Sequence, residues 1–159
     1  MTVNFLLNNK KVTAEAEPNE RLIDLLRGKF GLTGAKSGCH SGQCGACAVF
    51  FNDVITPSCL VPAFNLNGAN VITIEGFSET AEYKDIIAAF TGAGVENCGY
   101  CNAGKILLAE SLLRSKQSLC KEIIVQAYDG TKCRCTDAQT IVRAVLAAEE
   151  IRNRRLNAE

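Results

Sequence analysis

Residues 37–59 read "SGCHSGQCGACAVFFNDVITPSC". Thiols fall at Cys39, Cys44, Cys47 and Cys59 in the order Cys-x4-Cys-x2-Cys followed by a more distant cysteine, the spacing of a plant-type 2Fe–2S site. The reason is geometric. Two irons bridged by two sulfides need two thiolates at each end, so the chain has to wrap closely around them. Gly38, Gly42 and Gly45 let the backbone take left-handed turns and bring N–H groups up to sulfur.

The surroundings of this loop read as a small mixed sheet packed on a helix. "VNFLLN" (3–8) and "KVTAEA" (11–16) form a hairpin across Asn8-Asn9-Lys10. "ERLIDLLRGKFG" then places Leu22, Leu25 and Leu26 on one helical face, with Gly28 or Gly31 to end it. "CAVFFN" (47–52), "VIT" (54–56) and "NVITIEG" (70–76) are rich in β-branched and aromatic residues and read as strands.

The second half changes character. "YKDIIAAFTGAG", "AGKILLAESLLRS", "LCKEIIVQAYDG" and "DAQTIVRAVLAAEEIRNRRL" each carry apolar residues at helical spacing between Gly or polar turns, which predicts a four-helix bundle. The switch falls at "GFSETAEYK" (76–84), read as a linker, so the expected domains are 1–76 and 77–159. Each is about 75 residues, a size at which an apolar core alone is marginal and a bound metal centre adds stability.

Four further thiols stand in this half, in "CGYC" (98–101) and "CRC" (133–135). Cys98 and Cys101 open one expected helix, and Cys133 and Cys135 lie in the turn before the last. Two interhelical turns meeting at one end of the bundle would close a second four-thiolate site. Cys120 fits neither quartet and reads as a buried apolar thiol. His40, the one histidine, is within reach of a sulfur or of solvent.

Composition bounds the function. Lys+Arg and Asp+Glu are 17 each among 159 residues, so nothing points to a nucleic-acid surface. No apolar run is long enough for a membrane span, and the N-terminal stretch lacks an export pattern, so a cytoplasmic, reducing setting is expected. There, nine cysteines read as metal ligands or redox thiols rather than disulfides. Rieske ligation would need two histidines, and covalent haem would need His where Ala48 and Asn102 stand. Structural zinc in two four-cysteine sites is the competing reading. No acid–base pair or nucleophile stands in a readable catalytic motif, so no catalytic residue is expected in the chain itself. The basic run "RNRRL" (152–156) reads as a solvated helix end favoured by the helix dipole.

With both quartets in view, the sequence resembles the small iron–sulfur subunit of the molybdenum hydroxylases, the family of xanthine, nicotinate and carbon monoxide dehydrogenases. The resemblance runs from "EPNERLIDLLRGKFGLTGAKSGCHSGQCGACAVFFND" through "SCL" and "ITIEGF" to "CGYC" and "CRCT". It implies an α+β protein: an N-terminal β-grasp ferredoxin-like domain followed by a four-helix domain, each holding a 2Fe–2S cluster. It implies a large partner subunit carrying the molybdopterin cofactor, which hydroxylates a CH group of a substrate such as an N-heterocycle or purine. It also implies a medium partner carrying FAD, in a hetero-oligomer such as a dimer of heterotrimers. Electrons would pass from molybdenum through the cluster at Cys98, Cys101, Cys133 and Cys135, then the one at Cys39, Cys44, Cys47 and Cys59, to flavin.

Departures from the family pattern gather around the second quartet. Asn97 stands where Gln is usual, and Asn102-Ala103-Gly104 where Thr-Pro-Gly is usual. Gly130-Thr131-Lys132 replaces Gly-Asn-Leu, and Asp137-Ala138 replaces Gly-Tyr. In relatives the Gln and the backbone near the last cysteine contact the pterin, so the resemblance offers Asn97 and Cys135 as pterin contacts. A stand-alone ferredoxin-like carrier for another dehydrogenase is the alternative.

Overall fold

The computed structural model describes residues 1–115 and 117–158; Lys116 and Glu159, within the expected second span 77–159, lie outside the described residues. The chain begins with an antiparallel hairpin of β1 (Thr2–Leu7) and β2 (Lys10–Glu15), with Phe5 opposite Val12. Asn8 and Asn9 turn it with φ of 50° and 66°, the left-handed pair that a two-residue hairpin turn requires. The same device, Asn52 and Asp53 at 49° and 66°, joins β3 (Ala48–Phe51) to β4 (Val54–Pro57). β5 (Asn70–Ile72) lies parallel to β1 and antiparallel to β3, giving the order β2-β1-β5-β3-β4.

Helix α1 (Leu22–Gly28) covers one face of this sheet. Leu22, Leu25 and Leu26 are fully buried against Val3, Phe5, Leu7, Val49 and Val71. A mixed five-stranded sheet holding one helix in this order is the β-grasp arrangement.

β3 is buried on both faces, and its alternation explains how the two halves join. Val49 points into the α1 core, while the next residue, Phe50, enters a second core built largely from helices. Phe50 meets Phe77 edge-on at 6.3 Å, and the Arg114 guanidinium stacks 4.6 Å from the Phe50 ring centre. Around them pack Ile86 and Phe90 of α3 (Ala81–Gly92) and Ile106 and Leu107 of α4 (Asn102–Arg114). Ile124 of α5 (Lys121–Tyr128) and Ile141 and Val145 of α6 (Ala138–Ala158) complete the core. The four long helical stretches read from sequence are all present.

Two local expectations change. The strand over 70–76 stops at Ile72, and Ile74–Phe77 forms a short helix, α2. β1 ends at Leu7, so β5 loses its parallel partner there, and the Thr73 N–H is taken by the Asn8 side chain at 2.8 Å. The "RNRRL" run is not simply solvated. Arg152 bonds Glu110 at 2.6 Å, and Arg155 forks onto Asp85 at 3.1 and 2.9 Å. The side chains of Asp85 and Glu110 are only 6% and 1% exposed, so these pairs clamp α6 to α3 and α4 from inside.

Candidate metal centres

The first loop hangs between α1 and β3. Its base is closed by Lys36 N donating to Ala46 O at 2.9 Å. Gly42 and Gly45 carry φ of 75° and 70°, which folds the chain back on itself. Ser41 N and Gln43 N then donate to Cys39 Sγ at 3.4 and 3.2 Å. Ser58 anchors the distant ligand: its N and Oγ both donate to Cys47 O, at 3.1 and 2.7 Å, setting Cys59 beside Cys47. Cys39 is exposed and Cys44 half-buried, while Cys47 and Cys59 are buried.

The thiols meet in twos. Cys39 and Cys44 lie close enough to bias each other's ionisation, as do Cys47 and Cys59. Hydrogen bonds from Ser41, side chain and then backbone, pull the Cys39 thiol down to about 6. Burial pushes Cys59 up to about 11, with Cys47 adding to it.

The second set is assembled by two turns. Cys98 and Cys101 precede α4 through Gly99 at φ 92°, and Cys133 and Cys135 lie between α5 and α6. Glu96 N donates to Thr136 Oγ1 at 3.0 Å, drawing the turns together. Asp137, one of the departures, starts α6 by accepting from Thr140 N at 3.0 Å and Thr140 Oγ1 at 2.7 Å. Again the sulfurs pair, Cys98 with Cys135 and Cys101 with Cys133.

Burial raises Cys101 to about 11. Burial opposes ionisation of Cys133 as well, but N–H groups of Cys135 and Thr136 bring it down on balance. The Tyr100 N–H lowers Cys98, and that lowered thiol in turn raises Cys135. Lys105 favours the ionised form at all four.

Among the described residues no three or more His, Cys, Asp or Glu side chains converge as a single-ion site needs. A two-plus-two array of sulfurs is instead what a two-iron rhomb takes, two thiolates per iron. With backbone N–H donors aimed at sulfur, the residues present fit such a cluster at each quartet.

The two loops touch. Lys132 N donates to Cys44 O at 3.2 Å, so the residue before Cys133 bonds the backbone of a first-quartet cysteine. A Cβ on Gly104 would lie 2.1 Å from Gly45 O, and one on Gly38 would lie 2.9 Å from the Tyr100 hydroxyl. The Gly104→Ala protein should therefore lose about 1–3 kcal/mol by overpacking, because the obstacle is backbone and cannot swing aside. Electron transfer between the centres should slow with it. Thermal unfolding and flash-reduction kinetics measure both, and an unchanged melting temperature would contradict this close approach.

Sequence reasoning missed several of these residues. Gly104 and Lys132 matter only through contacts that cross the two halves, which no local pattern announces. Lys105 could have been noticed as a lone cation in the apolar run "NAGKILLAE", one helical turn beyond Cys101. His40 takes φ 55° and its Nε2 bonds Ser37 Oγ, not a sulfur. Cys120 is exposed at the start of α5 and hydrogen-bonds Glu122, so the reading of a buried thiol is corrected: the helix begins one residue later and turns it outward.

A β-grasp unit and a helical unit, each presenting paired thiols at one shared junction, define a two-centre iron–sulfur electron carrier. Residues 5–67 match the family model of a 2Fe-2S iron-sulfur cluster binding domain, and residues 73–146 match that of a second 2Fe-2S binding domain. The chain is 41% identical to the nicotinate dehydrogenase small FeS subunit of Eubacterium barkeri, over 94% of this chain and 96% of that one. It is 38% identical to the nicotine 6-hydroxylase small subunit of Paenarthrobacter nicotinovorans, over 92% and 88%. Its fold superposes on quinoline 2-oxidoreductase from Pseudomonas putida 86 with a TM-score of 0.86 at 31% identity, covering 96% of each chain. The chain belongs to the family of small iron–sulfur subunits of the molybdenum hydroxylases, and its role is electron transfer.

Proposed function

We propose that this chain relays electrons from a molybdopterin-bearing large subunit to an FAD-bearing medium subunit. Cys98, Cys101, Cys133 and Cys135 would hold one 2Fe–2S cluster, and Cys39, Cys44, Cys47 and Cys59 the other. The clusters supply one-electron redox chemistry when bound. The observation that carries the reading is the pairing of sulfurs combined with their exposure. Cys98 and Cys135 of one quartet and Cys39 of the other are exposed, so each quartet reaches the surface, while Cys47, Cys59 and Cys101 are buried. Between the quartets, Lys132 N–H to Cys44 O provides a short hydrogen-bonded link.

Asn97 and Cys135 are the proposed pterin contacts. Asn97 is exposed and lines a groove of about 260 Å3 together with Lys36, Gly99 and Asn102. Asn102 Oδ1 is buried without a hydrogen-bond partner, an acceptor that a polar group from a partner could satisfy. The names of the relatives favour an aromatic N-heterocycle as substrate of the assembled enzyme. The proposal extends to a cytoplasmic dimer of heterotrimers, with 1–76 and 77–159 as the two cluster-binding units. Among the described residues no helix is long and apolar enough to cross a membrane.

Anaerobic purification tests this. The chain should co-elute with a molybdenum-containing subunit and a flavin subunit, and carry about four irons and four acid-labile sulfides with a red-brown spectrum. Colourless protein with stoichiometric zinc would overturn the cluster assignment, and red-brown protein with no molybdenum partner would favour the stand-alone carrier. In the complex, Asn97→Ala should keep its iron while reduction of the second cluster by substrate slows about tenfold, as loss of one hydrogen bond to a buried polar group implies.

A further inference from the structure

Lys105 is wholly buried in the first turns of α4, four residues beyond Cys101. Its Nζ donates to Glu96 O, two residues before Cys98, and its carbonyl accepts from the Tyr128 hydroxyl at 2.7 Å. The same side chain lines a cavity of about 130 Å3 with Cys133, Thr131 and Thr136. Among the described residues it is the one lysine or arginine in the buried class, and it makes no ion pair. Asp129, the one carboxylate lining the cavity, is exposed and does not pair with it. A buried ammonium satisfied by a single carbonyl is costly unless an anion lies close by.

We propose that Lys105 is the built-in counter-ion of the second cluster and raises that cluster's reduction potential relative to the first. The inference rests on the assignment of Cys98, Cys101, Cys133 and Cys135 as ligands. Four thiolates leave an oxidised 2Fe–2S centre anionic, and taking up one electron adds a further negative charge. A fixed cation inside the protein, where screening is weak, stabilises the reduced state more than the oxidised one. Nothing comparable accompanies the first quartet: among the described residues, the basic side chains bonded to its loop, Lys36, Arg21 and Arg27, are part-exposed or exposed. The result is a potential difference between two clusters with identical ligand types, set by one side chain.

The test is a redox titration of the purified holoprotein, each cluster followed by its own paramagnetic signal. Wild type is measured beside Lys105→Met, Lys105→Gln and Lys105→Arg. Met removes charge and donor, Gln keeps a donor without charge, and Arg keeps the charge. Met and Gln should each shift the one-electron equilibrium of the second cluster at least tenfold toward oxidised, about 59 mV, with the first cluster unmoved. Arg should stay within threefold of wild type. Loss of the second cluster's iron from Met and Gln, but not from Arg, would equally support a charge requirement. A second cluster unmoved in Gln, equal shifts in both clusters, or loss of iron from all three variants would overturn the proposal and leave Lys105 a packing or hydrogen-bonding residue. Absence of two one-electron signals in wild type would instead sink the ligand assignment.

Discussion

Cys101→Ser should remove one paramagnetic centre and about half of the four irons, while Cys44→Ser removes the other centre and spares the first. Serine keeps the shape of the site but offers an alkoxide precursor far less suited to iron than a thiolate. Because each cluster takes two sulfurs per iron, one missing sulfur exposes an iron rather than merely weakening a contact. Substrate-driven flavin reduction in the assembled enzyme should fall by orders of magnitude in either variant, since a relay in series fails when either carrier is lost. Cys120→Ala serves as the control: that thiol is exposed at the start of α5, and both signals should persist. Loss of a cluster in Cys120→Ala, with melting temperature unchanged, would show that the quartets are wrongly drawn.

The largest effect on stability is expected at Glu110, in the middle of α4. Its carboxylate holds Arg152 at 2.6 Å and Arg114 at 2.5 Å, and its side chain is 1% exposed. Glu110→Ala leaves the Arg152 guanidinium, 11% exposed, without its nearest carboxylate. Breaking a buried pair from one side costs about 3–5 kcal/mol. Here the lower end applies, because Asp85 remains 3.7 Å from Arg152 and the Arg114 pair is discounted by its exposure. A loss of about 3 kcal/mol corresponds to a fall of roughly 6–12 °C in melting temperature for a chain of this size. The double variant Glu110→Leu with Arg152→Met should recover most of that loss, since an apolar pair carries no desolvation penalty. If the double variant melts no higher than Glu110→Ala, the pair is not what holds α6 to α4.

How legible all this is in the sequence depends on range. The hairpins, α1 and the four long helices follow from turn residues and apolar period, which act over a few positions. Residues 70–76 show the limit. "NVITIEG" has strand composition throughout, yet only Asn70–Ile72 finds ladder partners, and the next residues coil because their neighbour turns away at Asn8. "RNRRL" shows it again: local charge suggests a wet helix end, and only the approach of α3 and α4 gives Arg152 and Arg155 buried carboxylates to hold.

For the candidate centres, the sequence by itself determined the ligand types, their grouping into two quartets and the likeness to one enzyme family, because a two-iron cluster restricts spacing and glycine placement so narrowly. Tertiary structure alone decided which sulfurs pair, which end of each quartet meets solvent, and that the loops join through Lys132 and Gly104. It also decided that Lys105 lies inside the protein beside the second quartet. Those features arise from contacts between segments tens of residues apart, made when β3 buries Val49 and Phe50 on opposite faces and draws the helical half against the sheet.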